Sequence, residues 1–175
     1  MRNETYKIFG VGYPRSGTTT LKTALKEMGF KTGGPNFLHD TDTTVHVGDW
    51  MCLPNDKYKD LDEEFPNAQF ILTVRKDAQT WYDSVVRRTD QVADMKGVER
   101  QRKSMYGSST PLPSLYMAKY YRRIKDINSY FQEKYGSEVW KKLLVVCWEK
   151  GDGWDELGSF LHRPYPNKPF QHKNP

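Results

Sequence analysis

Long apolar runs are missing from this chain. None reaches the roughly 20 residues that a membrane-spanning helix needs. The opening residues, with Arg2, Glu4 and Lys7 ahead of a short apolar stretch, also lack the pattern of a secretory leader. Cysteine is scarce: Cys52 and Cys147 stand alone at no metal-binding or redox spacing, so two reduced thiols in or near the core are expected, with no disulfide frame and no metal centre. There is no internal repeat and no low-complexity tract. Dense basic charge is absent too. The 27 Lys and Arg against 22 Asp and Glu leave a net +5, which favours anionic ligands without reaching the density of a dedicated nucleic-acid binder. These absences lead to an expectation of one cytoplasmic domain over residues 1–175, with no membrane and no nucleic-acid partner.

One local absence matters more. In the strand-to-helix loop of nucleoside triphosphatases a Lys follows the second Gly, and here Thr18 stands at that position in Gly12-Tyr13-Pro14-Arg15-Ser16-Gly17-Thr18-Thr19-Thr20. Ordinary ATP or GTP hydrolysis is therefore disfavoured. What is present is still an anion loop. Tyr6 to Val11 reads as a buried strand, and Leu21, Ala24, Leu25 and Met28 recur at helical spacing, so a strand turns directly into a helix. Backbone N–H groups and the positive end of the helix dipole then share one concavity. Thr18, Thr19 and Thr20 add hydroxyls, Arg15 adds a planar donor fork, and Gly12 and Gly17 let the backbone approach an anion closely.

Further along, Phe30 to Thr32 suggests a short strand, and residues 37–50 are polar and irregular, carrying His39 and His46. Tyr58, Leu61, Asp62 and Phe65 fit a short helix. Ala68 to Val74 reads as a parallel strand covered on both faces, ending at Arg75. Ligands of open α/β sheets bind beyond the carboxyl ends of strands, so Arg75 shares an edge with the first loop. Asp77 caps the next helix, where Ser84 shares a flank with Thr80, Arg87 and Arg88; that flank reads either as a second phosphate grip or as a solvated basic face. Residues 90–113 lose periodicity and read either as a mobile, basic lid on the acceptor side or as a surface connection. Met117, Tyr121, Ile124, Phe131 and Tyr135 mark the core stripe of a long helix whose other faces carry Lys119, Arg122, Arg123 and Lys125. A last strand, Leu143 to Trp148, and a helix from Trp154 precede a Pro-rich tail. Strands alternating with helices imply an α/β fold with a mainly parallel central sheet.

Three blocks carry a family resemblance. Pro14-Arg15-Ser16-Gly17-Thr18-Thr19 is similar to the 5′-phosphosulfate loop of sulfotransferases that use 3′-phosphoadenosine-5′-phosphosulfate (PAPS). Phe65 to Arg75, followed by Trp81-Tyr82-Asp83-Ser84, resembles their 3′-phosphate strand-turn-helix, with Arg75 and Ser84 one residue further apart than usual. Leu143 to Leu161, with Pro164, Pro166, Pro169, Phe170 and Asn174, looks like the C-terminal segment of a compact P-loop subfamily. The resemblance implies a three-layer P-loop-like fold, its sheet flanked by helices. It also implies sulfuryl transfer to a hydroxyl or amine of a small-molecule or glycan acceptor, with 3′,5′-adenosine bisphosphate (PAP) as product and no metal. Donor binding would fall to Pro14, Arg15, Ser16, Gly17, Thr18, Thr19, Arg75 and Ser84, with Arg15 also catalytic. His46 is the first choice of general base, Asp49 the rival and His39 the third. A P-loop kinase or NTPase-like phosphotransferase, and a catalytically silent nucleotide-binding domain, are the competing readings.

Overall fold

Ile8, Phe9 and Gly10 are wholly buried, because the strand they form is the middle one of the sheet and is covered on both faces. A computed structural model describes residues 5–52, 54–91 and 97–172, with Asp49, Trp50, Asp90 and Gln91 described by backbone only. Among the described residues, five strands pair: β1 (Ile8–Gly10), β2 (Thr32–Gly33), β3 (Val45–Val47), β4 (Gln69–Thr73) and β5 (Leu143–Val146), in the order β2-β3-β1-β4-β5. Every pairing is parallel, with Phe9 opposite His46 on one side and Phe70 on the other. Six helices accompany them: α1 (Thr18–Glu27), α2 (Lys57–Glu64), α3 (Ala78–Gln91), α4 (Val98–Tyr106), α5 (Pro113–Tyr135) and α6 (Trp154–Leu161).

Strand side chains alternate in direction, and the core divides accordingly. Ile8, Val45, Val47 and Ile71 point to the face packed by Leu21 and Leu25 of α1 and by Leu157, Phe160 and Leu161 of α6. Phe9, Phe70 and Leu72 point to the other face, against Leu61 of α2 and Ile127 and Phe131 of α5. Each fully buried side chain of this size contributes about 1.5–3 kcal/mol. A third cluster, rich in rings, joins Tyr13, Trp81, Tyr106, Tyr116 and Tyr120 beyond the carboxyl end of β1, with Trp81 stacked on Tyr120 at 4.6 Å between centroids.

Three expectations are corrected. The stretch taken as irregular holds β3, a strand too short to show alternation. Residues 98–106 form α4 between Gly97 and Gly107, both at positive φ, and only Met105 and Tyr106 of that helix are buried; residues 92–96 lie outside the described residues. The buried stripe of α5 is Tyr116, Tyr120, Arg123, Ile127 and Phe131; of the expected stripe Phe131 is fully buried and Met117, Ile124 and Tyr135 are partly buried against the core, but Tyr121 is 59% exposed. An arginine in the stripe disguised it. Cys52 and Cys147 are buried free thiols.

Candidate active site

The loop after β1 is held in shape by its neighbours. The Ser16 hydroxyl donates to the Tyr13 carbonyl (2.6 Å) and shares a bond with the Thr73 hydroxyl (2.8 Å), while the Ser16 N–H also donates to Tyr13. Trp81 Nε1 donates to the Pro14 carbonyl at 2.9 Å. A Cβ on Gly12 would lie 2.2 Å from Thr73 Oγ1, so this glycine serves the packing of the loop against β4. Gly17 has φ +101°, and a Cβ there would meet the Trp148 indole at 2.5 Å; Trp148 Nε1 in turn donates to the Gly17 carbonyl (3.1 Å). Arg15 adopts φ 70°, a left-handed conformation that costs a non-glycine residue about 1–2 kcal/mol. Strain of this kind gathers where a side chain must point one way, and the Arg15 Nε donates to Ser84 Oγ at 3.1 Å. No side chain caps the start of α1, and no acidic residue stands in its first turn. Thr18 is half-buried and Thr19 exposed at that end.

The second group of candidate residues lies where β4 ends. Arg75 is 6% exposed, its N–H donates to the Tyr120 hydroxyl (2.8 Å), and its Nη2 pairs with Glu149 Oε1 at 2.8 Å. Glu149 Oε2 accepts the Lys76 N–H (2.8 Å). Arg75 Nε is buried with no hydrogen-bond partner. A buried donor without an acceptor is costly, so this is the kind of atom an anion would satisfy. Asp77 caps α3 by accepting the Thr80 N–H at 2.7 Å, and Ser84, one residue later than the family spacing, is nevertheless fully buried against Arg15. Arg87 and Arg88 are exposed. The two groups of candidate residues therefore sit on one edge, linked by the bonds from Arg15 to Ser84 and from Ser16 to Thr73.

Arg123 was read as a surface residue; instead it is 4% exposed and braces the loop from below. Its Nη2 donates to the Val11 carbonyl (3.0 Å), its Nη1 to the Asn55 carbonyl, and the guanidinium lies 5.2 Å from the Tyr13 ring and 5.5 Å from that of Tyr58. Burial pushes the Tyr13 hydroxyl up to about 12, against the opposing charge of Arg123, so it stays protonated at neutral pH. Beside these groups opens a cavity of about 580 Å³ between α2 and α5, lined by Tyr13, Tyr58, Lys59, Arg123, Asp126 and Glu133 among others.

The candidate bases are scattered. His46 is 0% exposed within β3, its ring 5.6 Å from that of Phe9, and burial followed by the charge of Lys7 lowers it from 6.5 to about 4. So enclosed a ring presents no open face to an acceptor. His39 is exposed beside Glu64, at 3.4 Å. The Asp49 side chain lies outside the described residues; its backbone begins the 3-10 turn Asp49–Cys52 that follows β3 at the carboxyl edge.

The model of a sulfotransferase domain matches residues 41–175, which span β3 to the C-terminal tail and include Arg75, Ser84 and Glu149. This protein belongs to the sulfotransferase domain family. Its all-parallel five-stranded sheet flanked by helices agrees with the P-loop-like fold of that family. Membership implies a transferase. The first loop, residues 12–20, lies ahead of the matched span, and its assignment rests on its own sequence and geometry. No curated protein matches the chain significantly. No helix among the described residues is long and apolar enough to cross a membrane.

Glu149, Tyr120, Trp148 and Arg123 were missed by sequence reasoning. For Arg123 a signal existed: it falls on the 116, 120, 123, 127, 131 stripe. Glu149 reaches Arg75 from a distant strand end, and nothing local announces that contact.

Proposed function

We propose that this protein moves a sulfuryl group from PAPS to a hydroxyl or amine of its acceptor by in-line displacement. The single observation that carries the reading is the 3.1 Å bond between Arg15 and Ser84, which brings together the two segments proposed to hold the donor's anionic groups. Arg15 and the N–H groups of Gly17, Thr18 and Thr19 would hold the 5′-phosphosulfate. Pro14 and Ser16 would act through loop shape, since the Pro14 carbonyl and both polar groups of Ser16 are already engaged. Arg75, with its unpartnered Nε, and Ser84 would hold the 3′-phosphate that distinguishes this donor from ATP.

In the transfer, the bond between sulfur and the bridging oxygen breaks as a bond from the acceptor oxygen or nitrogen to sulfur forms. The electron pair stays on the 5′-phosphate of PAP. Arg15 would offset the charge gathering on that oxygen. The acceptor's proton goes to a general base, and Asp49 fits that role better than His46 because the imidazole is enclosed. We assign the acceptor to the cavity between α2 and α5, whose rings and charges of both signs suit a polar, hydroxyl-bearing molecule.

Thermal denaturation with added ligand tests the donor. PAP at a hundredfold excess over its dissociation constant should stabilise the protein by about 2.7 kcal/mol, whereas ATP with magnesium should not. Stabilisation by ATP alone would favour phosphoryl transfer, and no response to either would favour a silent domain.

A further inference from the structure

Beyond α6 the chain doubles back to the start of that helix, and it is pinned there. The Tyr165 ring stacks on Trp154 (6.1 Å between centroids, 4° between planes), and Trp154 Nε1 donates to the Lys168 carbonyl at 2.8 Å. Phe170 packs 5.0 Å from Trp148 and 5.0 Å from Trp154, in space that a Cβ on Gly153 would invade at 3.0 Å. Trp148 is the indole bonded to Gly17 of the first loop, and the residue after it, Glu149, holds Arg75. The tail is thus anchored one ring away from both grips.

Two residues past that anchor, the Nε2 of His172 is buried with no hydrogen-bond partner. The charged groups that act on this imidazole are Arg75 and Glu149, in keeping with the anchoring of Phe170 on Trp148, the residue before Glu149. Arg75 Nε is the other buried nitrogen there without a partner. Glu149 already occupies one edge of the guanidinium, at 2.8 Å, and fixes its orientation. Two buried nitrogens without a partner, one on the clamped arginine and one on the anchored tail, are groups that an acceptor with several oxygens would satisfy.

We propose that His172 is a direct ligand of the donor's 3′-phosphate, supplied by the C-terminal tail to complete the grip begun by Arg75 and Ser84. This rests on the donor reading given above. Its consequence is selectivity: His172 contributes to binding only when the nucleotide carries a 3′-phosphate.

Calorimetric titration of the full chain with PAP and with 5′-AMP, which lacks the 3′-phosphate, separates the possibilities. The wild type should prefer PAP. His172→Ala should lower that preference about tenfold through weaker PAP binding, with 5′-AMP affinity unchanged, and His172→Gln should recover part of it through its amide N–H. Phe170→Ala, which loosens the anchor, should act in the same direction. Equal losses for both nucleotides in His172→Ala would mean that the tail merely packs, and an unchanged preference would remove His172 from the site; either overturns the proposal while leaving the donor reading intact. A wild type that does not distinguish PAP from 5′-AMP would overturn both.

Discussion

The two edges of the sheet bury charge in opposite ways. At the amino edge, Asp62 of α2 has a fully buried carboxylate that accepts from the Tyr130 hydroxyl (3.0 Å), the Tyr135 hydroxyl (2.7 Å) and Lys134 (2.6 Å), with Lys142 at 3.9 Å. Lys142 spends its remaining capacity on the carbonyls of Pro66 and Ala68. That network is closed. At the carboxyl edge, Arg75, Arg123 and His172 each keep a buried nitrogen without a partner. A closed network holds elements together, here α2, α5 and the start of β5. An open one carries an energetic debt that a ligand can discharge. The same side-chain chemistry is therefore closed on itself at one end and left open at the other, where the donor is proposed to bind.

The sharpest way to break this comparison is Asp62→Ala, which strands Lys134 and two phenols. It should cost about 3–5 kcal/mol in chemical denaturation, with PAP affinity unchanged below the transition. A loss under 1 kcal/mol would show that the amino edge is not the tightly coupled network its geometry suggests. Arg15→Ala should reverse the pattern, cutting sulfuryl transfer by about 10²–10³ in a donor-saturated assay while the unfolding midpoint moves little.

His46 belongs to neither edge and tests burial alone. Its folded value of about 4 lies below the ordinary 6.5, so its contribution to stability is complete above pH 6.5 and is lost as pH falls toward 4. Over that window wild type should lose up to about 3 kcal/mol more than His46→Phe. Parallel pH profiles would show that the imidazole is not held neutral. The smallest effect expected is that of Arg75→Gln, which should weaken PAP binding by about 1.5–3 kcal/mol in calorimetry, with 5′-AMP spared. If 5′-AMP weakened equally, Arg75 would be bracing the edge and not reading the 3′-phosphate.

Local pattern was enough for elements whose residues carry their own signal. β4 and β5 announce themselves as apolar runs, α3 by its period and by Asp77, whose carboxylate does accept the Thr80 N–H. The α/β class follows from that alternation. The resemblance named the family, and the match over residues 41–175 agrees. The failures share one cause. β3 has three residues, fewer than an alternation needs; α4 buries only its last turn; and Arg123 is polar in composition yet buried in place.

The sequence by itself settled β1, β4 and β5, the helices α1, α2, α3, α5 and α6, and the position of Arg75 at a strand end, because each depends on residues close together in the chain. Tertiary structure alone decided that Arg15 meets Ser84, that Glu149 clamps Arg75, that Arg123 lies beneath Tyr13 and that His46 is sealed in the core. Those contacts join segments tens of residues apart, and packing selects them through shape and the pairing of buried polar groups, neither of which leaves a periodic trace in sequence.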